Sequence, residues 1–398
     1  MSYEAESQLM AAKPPPSAVP TTEELIRRAR AMIPVLRAQA EVTERNRRVA
    51  PQAIEAFRAA GFFKLLQPAR FGGLERGFSD LIRINFELGQ GCGSAAWCAS
   101  LGMVHQWFLA LFPSLAQEEV WANPDTILAG AYAPNGTCKA VPGGYYVSGK
   151  WPYASNCENV DWLMVGVMVP PRATGEAPKH AILLLPKEQA RIEDTWHVAG
   201  LAGTGSKTIV IAEETFVPEH RMLPRSDMLE GCAPGAQVNT HPLYRTPFYA
   251  ALPFSLVSPL IGMAQGAVNE SIAWARGPKA ALPYVQMAIA EASAAVETAR
   301  TVIEARVAAV ERAVGEGTVS IDERVRNRRD QAYAGKLAAH AVDQLLAAQS
   351  ASGMALGSAI QRHWRDVNAA ARHVSLHWGD VSLLYGQHRL GLNPKGNF

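Results

Sequence analysis

A chain of 398 residues, 48% hydrophobic and 19% charged, carries enough apolar material for a large core and enough length for two or three domains or one composite fold. Its net charge of +2, with no block of like charge, argues against nucleic acid as a partner. Five cysteines without a CxxC pair argue against a disulfide framework or zinc ribbon, and no apolar run approaches the roughly 18 residues that suggest a membrane span.

Residues 1–20, biased toward proline and alanine and without an apolar signal core, predict a mobile leader on a cytoplasmic protein. Thr21 and Glu24 form a capping box ahead of "LIRRARAMIPVLRAQAEVTERNRRVAP", and Pro51 opens a second helix that Gly61 closes. Helical patterning continues to about residue 123. From "TILAGAYAP" the texture changes to short β-branched and aromatic runs separated by Gly, Pro and Asn, which predicts a small β domain over residues 124–225. Long alanine-rich segments with apolar residues at spacings of three and four then predict a helical bundle over 226–398, its last helix running through "QRHWRDVNAAARHVSLHWGD". Without βαβ alternation, no Rossmann unit is expected.

Several motifs invite a functional and a structural interpretation. "GLAGTGSKT", Gly200 to Thr208, is one residue away from a phosphate loop, but Ser206 intervenes and a strand follows where a helix is needed, so a turn between strands is the better reading. His373 and His377, one helical turn apart with Asp380 nearby, suggest a metal only weakly, because Val374 stands where a zincin has its glutamate; no metal is expected. Arg362, Asp366, Ala369 and His373 would share one helical face, with Arg362 and Asp366 paired and His373 either a packed histidine or a base at a pocket wall. His105 with Trp107 and the segment "KWPYASN" around Ser155 leave the same choice open.

Taken together, "GFFKLLQPARFGGL", "CGSAAW", "VHQWFLALF", "AQEEVW", "YAPNG", "GLAGTGS", "FVPEHR", "AIQRHWRD" and "YGQHRLGL" resemble the flavin-dependent monooxygenases of two-component aromatic hydroxylases. The p-hydroxyphenylacetate and 3-hydroxy-seco-androstanedione hydroxylases are of this family. The resemblance implies an acyl-CoA dehydrogenase-like fold, mainly α with a central β domain: an N-terminal helical domain, a small β-barrel-like domain and a C-terminal four-helix bundle, assembled as a homotetramer.

It further implies FMN or FAD, reduced by a separate NAD(P)H-dependent flavin reductase, with O2 as co-substrate, and hydroxylation of a phenolic or polycyclic aromatic ring ortho to its OH through a C4a-hydroperoxyflavin. His373 would be the base, His105 would orient the substrate, and Ser155 would bond the flavin N5 side. Tyr132, Ala133 and Pro134 would contribute backbone at the flavin edge, with Tyr153 beside the ring. Trp107 would be a pocket wall, and His377 and Trp378 would shape the substrate pocket. Asn156 departs from the family pattern at the flavin edge and implies altered contacts there, while Gly130 and Ala131, together with His377 and Trp378, imply a different substrate from the nearest relatives'. The competing functions are an N- or S-oxygenase or indole-type hydroxylase, an acyl-CoA dehydrogenase, and a non-catalytic assembly protein. The dehydrogenase is disfavoured because no glutamate lies between Asp366 and the C-terminus.

Overall fold

The computed structural model describes residues 19–171 and 177–398, so the leader expected over residues 1–20 lies, apart from its last two positions, outside the described residues. The Thr21 side chain accepts the Glu24 N–H at 3.2 Å and starts α1 (Thr22–Asn46). Pro51 opens α2 (Pro51–Ala59), and the chain turns at Gly61, whose φ of +83° suits a residue without Cβ. Helices α3 (Phe78–Leu88), α4 (Gly93–Leu109) and α5 (Ser114–Val120) complete the first helical layer. Apart from Leu101, α4 is buried along its whole length, which fits its nearly continuous apolar sequence.

The central layer is a sheet in the order β5-β6-β2-β1-β3-β4-β7. Its strands are β1 (Leu128–Val141), β2 (Gly144–Ala154), β3 (Trp162–Val169), β4 (Lys179–Pro186), β5 (Arg191–Glu193), β6 (Lys207–Pro218) and β7 (Met222–Pro224). The β1–β2 pair is an antiparallel hairpin turning at Pro142 and Gly143, whereas β1 and β3 run parallel. Short helices α6 (Arg225–Glu230) and α7 (Phe248–Ala251) lead to α8 (Phe254–Ala275), α9 (Pro283–Glu316), α10 (Ile321–Gly353) and α11 (Ala359–Ala371). α8 is the hub, packed against α9, α10 and α11 on one side and α3 and α4 on the other.

Two sequence expectations are corrected. The segment Phe248–Ala275 is long and apolar enough to pass for a membrane span, yet its apolar window is 94% buried inside the protein. The final helix does not run unbroken: α11 ends at Ala371, a turn covers residues 372–377, and α12 (Trp378–Arg389) starts afresh. The Ser375 N–H is taken by the Nδ1 of His373 at 3.1 Å, a side-chain bond that competes with helical pairing.

Candidate active site

A cavity of about 800 Å³ lies where the helical layers meet the sheet. α4 contributes Trp97, Leu101 and His105, spaced by four and therefore on one face. β1 contributes Gly130 to Ala133, and the end of β2 contributes Pro152, Tyr153 and Ser155. The "GLAGTGS" turn adds Leu201, Thr204 and Ser206, and the turn after α11 adds Arg372, His373, Val374 and Ser375. Among the described residues no aspartate or glutamate lines it.

The glycine-rich turn is fastened to α11. Asp366, 6% exposed, accepts the Leu201 N–H at 2.6 Å, and a Cβ at Gly200 would come within 2.1 Å of the Arg365 carbonyl oxygen. This docking explains why the motif is glycine-rich without being a phosphate loop. Burial raises the Asp366 carboxyl to about 6, against the opposing pull of the Leu201 N–H and Arg365.

From this turn a chain of hydroxyls runs to the cavity. Thr204 donates to the Leu201 carbonyl at 2.8 Å, so its oxygen must accept from Ser206 at 2.7 Å. Ser206 in turn accepts from Ser155 at 2.7 Å. With its proton committed inward, Ser155 offers the cavity an acceptor.

Three histidines line the cavity, and two of them, His105 and His373, are held in opposite tautomers. His105 Nδ1 lies 2.7 Å from the Leu128 carbonyl, which can only accept, so Nδ1 carries the proton and Nε2 accepts the Tyr132 hydroxyl at 2.6 Å. His373 accepts the Ser375 N–H at Nδ1, so its neutral ring carries the proton on Nε2, which has no partner among the described residues. Burial pushes both imidazoles down to about 4, and the Arg328 charge adds to the shift at His373. Both rings are neutral near pH 7: one is a blocked acceptor behind a phenol, the other a free donor.

Family models place the description "Acyl-CoA dehydrogenase, N-terminal domain" on residues 21–124 and "Acyl-CoA dehydrogenase, C-terminal domain" on 254–378. The FADH(2)-dependent resorcinol hydroxylase oxygenase component of Rhizobium sp. (strain MTP-10005) is 38% identical, the match covering 98% of this chain and 99% of that protein. The oxygenase subunit HsaA of a flavin-dependent monooxygenase from Rhodococcus jostii is 36% identical over 92% of this chain and 98% of that one. The chain belongs to the oxygenase components of flavin-dependent monooxygenases built on the acyl-CoA dehydrogenase fold. The crystal structure of the 3-HSA hydroxylase from Rhodococcus sp. RHA1 superposes with a TM-score of 0.90 at 34% identity, covering 94% of this chain and 98% of that one. XiaF from Streptomyces sp., solved in complex with FADH2 and glycerol, matches with a TM-score of 0.85 at 29% identity, covering 94% and 97%.

The residues of this oxygenase fit a reduced flavin. Trp97, Tyr153 and Trp196 offer aromatic walls, and Tyr153 meets Trp196 edge-on at 6.1 Å. An accepting serine suits the ring N–H that a reduced flavin bears and an oxidised one lacks.

Of the sequence-predicted residues, His373, His105, Ser155, Tyr132, Ala133 and Tyr153 line this one cavity. Others are placed elsewhere. Pro134 is exposed and outside the lining. Trp107 is fully buried one layer behind, donating to the Leu243 carbonyl at 3.0 Å and stacked on Phe248; residues two apart on a helix face opposite ways, so α4 cannot present both His105 and Trp107. His377 pairs with Asp380 at 2.9 Å on the surface, and Trp378 packs on Tyr333 of α10, because the break after Ala371 turns both away. His363, in the "QRHWRD" segment, lies outside the cavity and is 7% exposed against Gly266 of α8. Arg362 does not pair with Asp366; it binds Glu44 of α1 at 3.2 Å, as does Arg365. Sequence reasoning missed Trp97, Thr204, Ser206, His180 and Arg225. The spacing of Trp97 to His105 was the available signal for the first, and the hydroxyl cluster "TGS" for the next two.

Proposed function

We propose that this chain hydroxylates a phenolic ring ortho to its OH as the oxygenase component of a two-component system. A separate reductase supplies reduced flavin, and O2 is the co-substrate. The observation that carries the reading is the pair of neutral histidines, fixed in opposite tautomers beside a serine acceptor, in a cavity that no carboxylate lines among the described residues. The same absence leaves no base for α-proton abstraction from an acyl thioester.

Reduced flavin, when bound, reacts with O2 and supplies an electrophilic oxygen. The protein's tasks are then positional and protonic. Ser155 accepts from the ring N–H and holds the edge in register. The substrate hydroxyl donates to the Tyr132 oxygen while the Tyr132 proton moves to His105 Nε2, whose other nitrogen stays anchored on Leu128. His373 donates Nε2–H to the substrate oxygen and stabilises its developing negative charge. In this reading the role of base that the resemblance implies for His373 is carried by His105 acting through Tyr132. Relatives named for resorcinol and for p-hydroxyphenylacetate support a phenolic substrate.

The same reading includes a helical unit to about residue 123, a β unit over 124–225 and a bundle from 226, assembled as a homotetramer in the cytoplasm. The test is rapid mixing of anaerobic protein and reduced FMN, or reduced FAD, with oxygenated buffer. An absorbance transient that outlives the oxidation of free flavin, and decays faster with added phenols, is expected. Oxidation indistinguishable from free flavin would overturn the reading.

A further inference from the structure

Arg225 and Asn397 both line the cavity, and the Arg225 Nη2 donates to Asn397 Oδ1 at 2.5 Å. The main-chain oxygen of the same asparagine accepts from Nε of Arg328 at 3.3 Å. Arg328 is 2% exposed, and its other side-chain partner is the neutral Gln331. Both guanidiniums approach the Tyr249 ring, at 5.8 and 5.7 Å from its centroid. Among the described residues neither arginine has a carboxylate within ion-pair distance, whereas the comparably buried Arg221 has Glu119 and Arg324 has Glu230.

A buried cation without a counter-ion is costly, and burial drives Arg328 down to about 10. Arg225 is also close enough to add its charge to the burial that lowers His180, and His180 donates to the Tyr132 carbonyl at 2.9 Å. The excess positive charge therefore borders the β1 backbone at Tyr132, and among the described residues no carboxylate in the lining compensates it.

We propose that Arg225, backed by Arg328 through Asn397, forms an oxyanion subsite that receives a carboxylate borne by the phenolic substrate. This rests on the proposed function and adds to it the substrate class: a hydroxylated aromatic acid. A planar carboxylate matches the guanidinium fork, and Asn397 can yield the Nη2 it now occupies. The terminal phosphate of the flavin is the other source of the same chemistry.

The test is equilibrium binding to the full-length protein, without turnover, so that it stands apart from the oxygen-mixing experiment. One arm compares 2,4-dihydroxybenzoate with resorcinol, and the other compares FMN with riboflavin, both flavins reduced under anaerobic conditions. We expect the acid to bind roughly ten- to hundredfold more tightly than the neutral phenol. Arg225→Met should abolish that preference while resorcinol affinity stays within about twofold, and Arg225→Lys should restore part of it. Loss of the FMN preference over riboflavin in Arg225→Met, with the phenol pair unchanged, would keep the subsite and reassign it to the cofactor. If Arg225→Met, folded by circular dichroism, changes neither preference, the proposal is wrong.

Discussion

The Tyr132 hydroxyl donates to His105 Nε2 at 2.6 Å, and the Leu128 carbonyl fixes the far nitrogen of the same ring at 2.7 Å. A phenol so placed cannot act alone: the histidine behind it decides which way its proton points. Tyr132→Phe removes the relay but leaves the cavity shape, so hydroxylation should fall roughly 10²-fold or more while reduced-flavin binding is kept. Product yield per flavin oxidised, measured in parallel with hydrogen peroxide release, checks this. Equal product yields in the two proteins would remove Tyr132 from the proton path.

His373 is expected to act as a donor through Nε2. His373→Gln retains an N–H donor and should keep more activity than His373→Ala, which should lose roughly 10²- to 10³-fold in hydroxylation rate. If the role were that of a base, the two variants would be equally impaired in single-turnover assays.

Ser155→Ala removes the outermost oxygen of the hydroxyl chain without emptying the core. The oxygen-dependent absorbance transient should shorten about tenfold, with peroxide rising at the expense of product. Ser206→Ala should produce a milder version, because Ser155 then loses the partner that orients its proton.

Asp366→Ala leaves the buried Leu201 N–H without its acceptor and should destabilise the protein by about 1–3 kcal/mol, while Asp366→Asn retains an acceptor oxygen and should lose less. Thermal melting gives the ranking, and reduced-flavin affinity should follow it, since this contact places the turn that carries Thr204 and Ser206.

Stability should also depend on pH in a predictable sense. Burial lowers His105, His363 and His373 from their ordinary value to about 4, so between about 4 and 6.5 the unfolded chain binds more protons than the folded one. The stability they contribute is complete above 6.5 and is lost as pH falls through that window. Asp366, raised to about 6 mainly by burial, acts in the opposite direction between its ordinary 3.8 and 6, but as one group against three. The melting temperature should therefore drop on acidification from pH 7 to 5, and His363→Gln should flatten the curve without touching the cavity.

Much of this architecture is written locally. The Thr21 cap, the proline at the head of α2 and the Gly143 hairpin are short-range signals, and each sits where its sequence asks. The glycine-rich segment was legible as a turn, but its purpose was not, because its partner Asp366 lies 165 residues away. Distance in sequence also hid the pairing of Arg362 with Glu44, 318 positions apart, which displaced the simpler partner four residues along the helix. The break after Ala371 is accompanied by a side-chain bond from His373 to its own turn, and helical spacing carries no trace of it. The break places His377 and Trp378 outside the site while His373 stays in it.

The hydroxyl chain from Leu201 to Ser155 has a direction, set by the one carbonyl at its inner end. On the proposed placement of the ring, Ser155 welcomes a nitrogen that bears hydrogen and opposes one that does not, since lone pair would then face lone pair. A spent, oxidised flavin is thereby less well held than a fresh one. On that placement the turn would work as a valve for a shared, diffusing coenzyme, without any moving part.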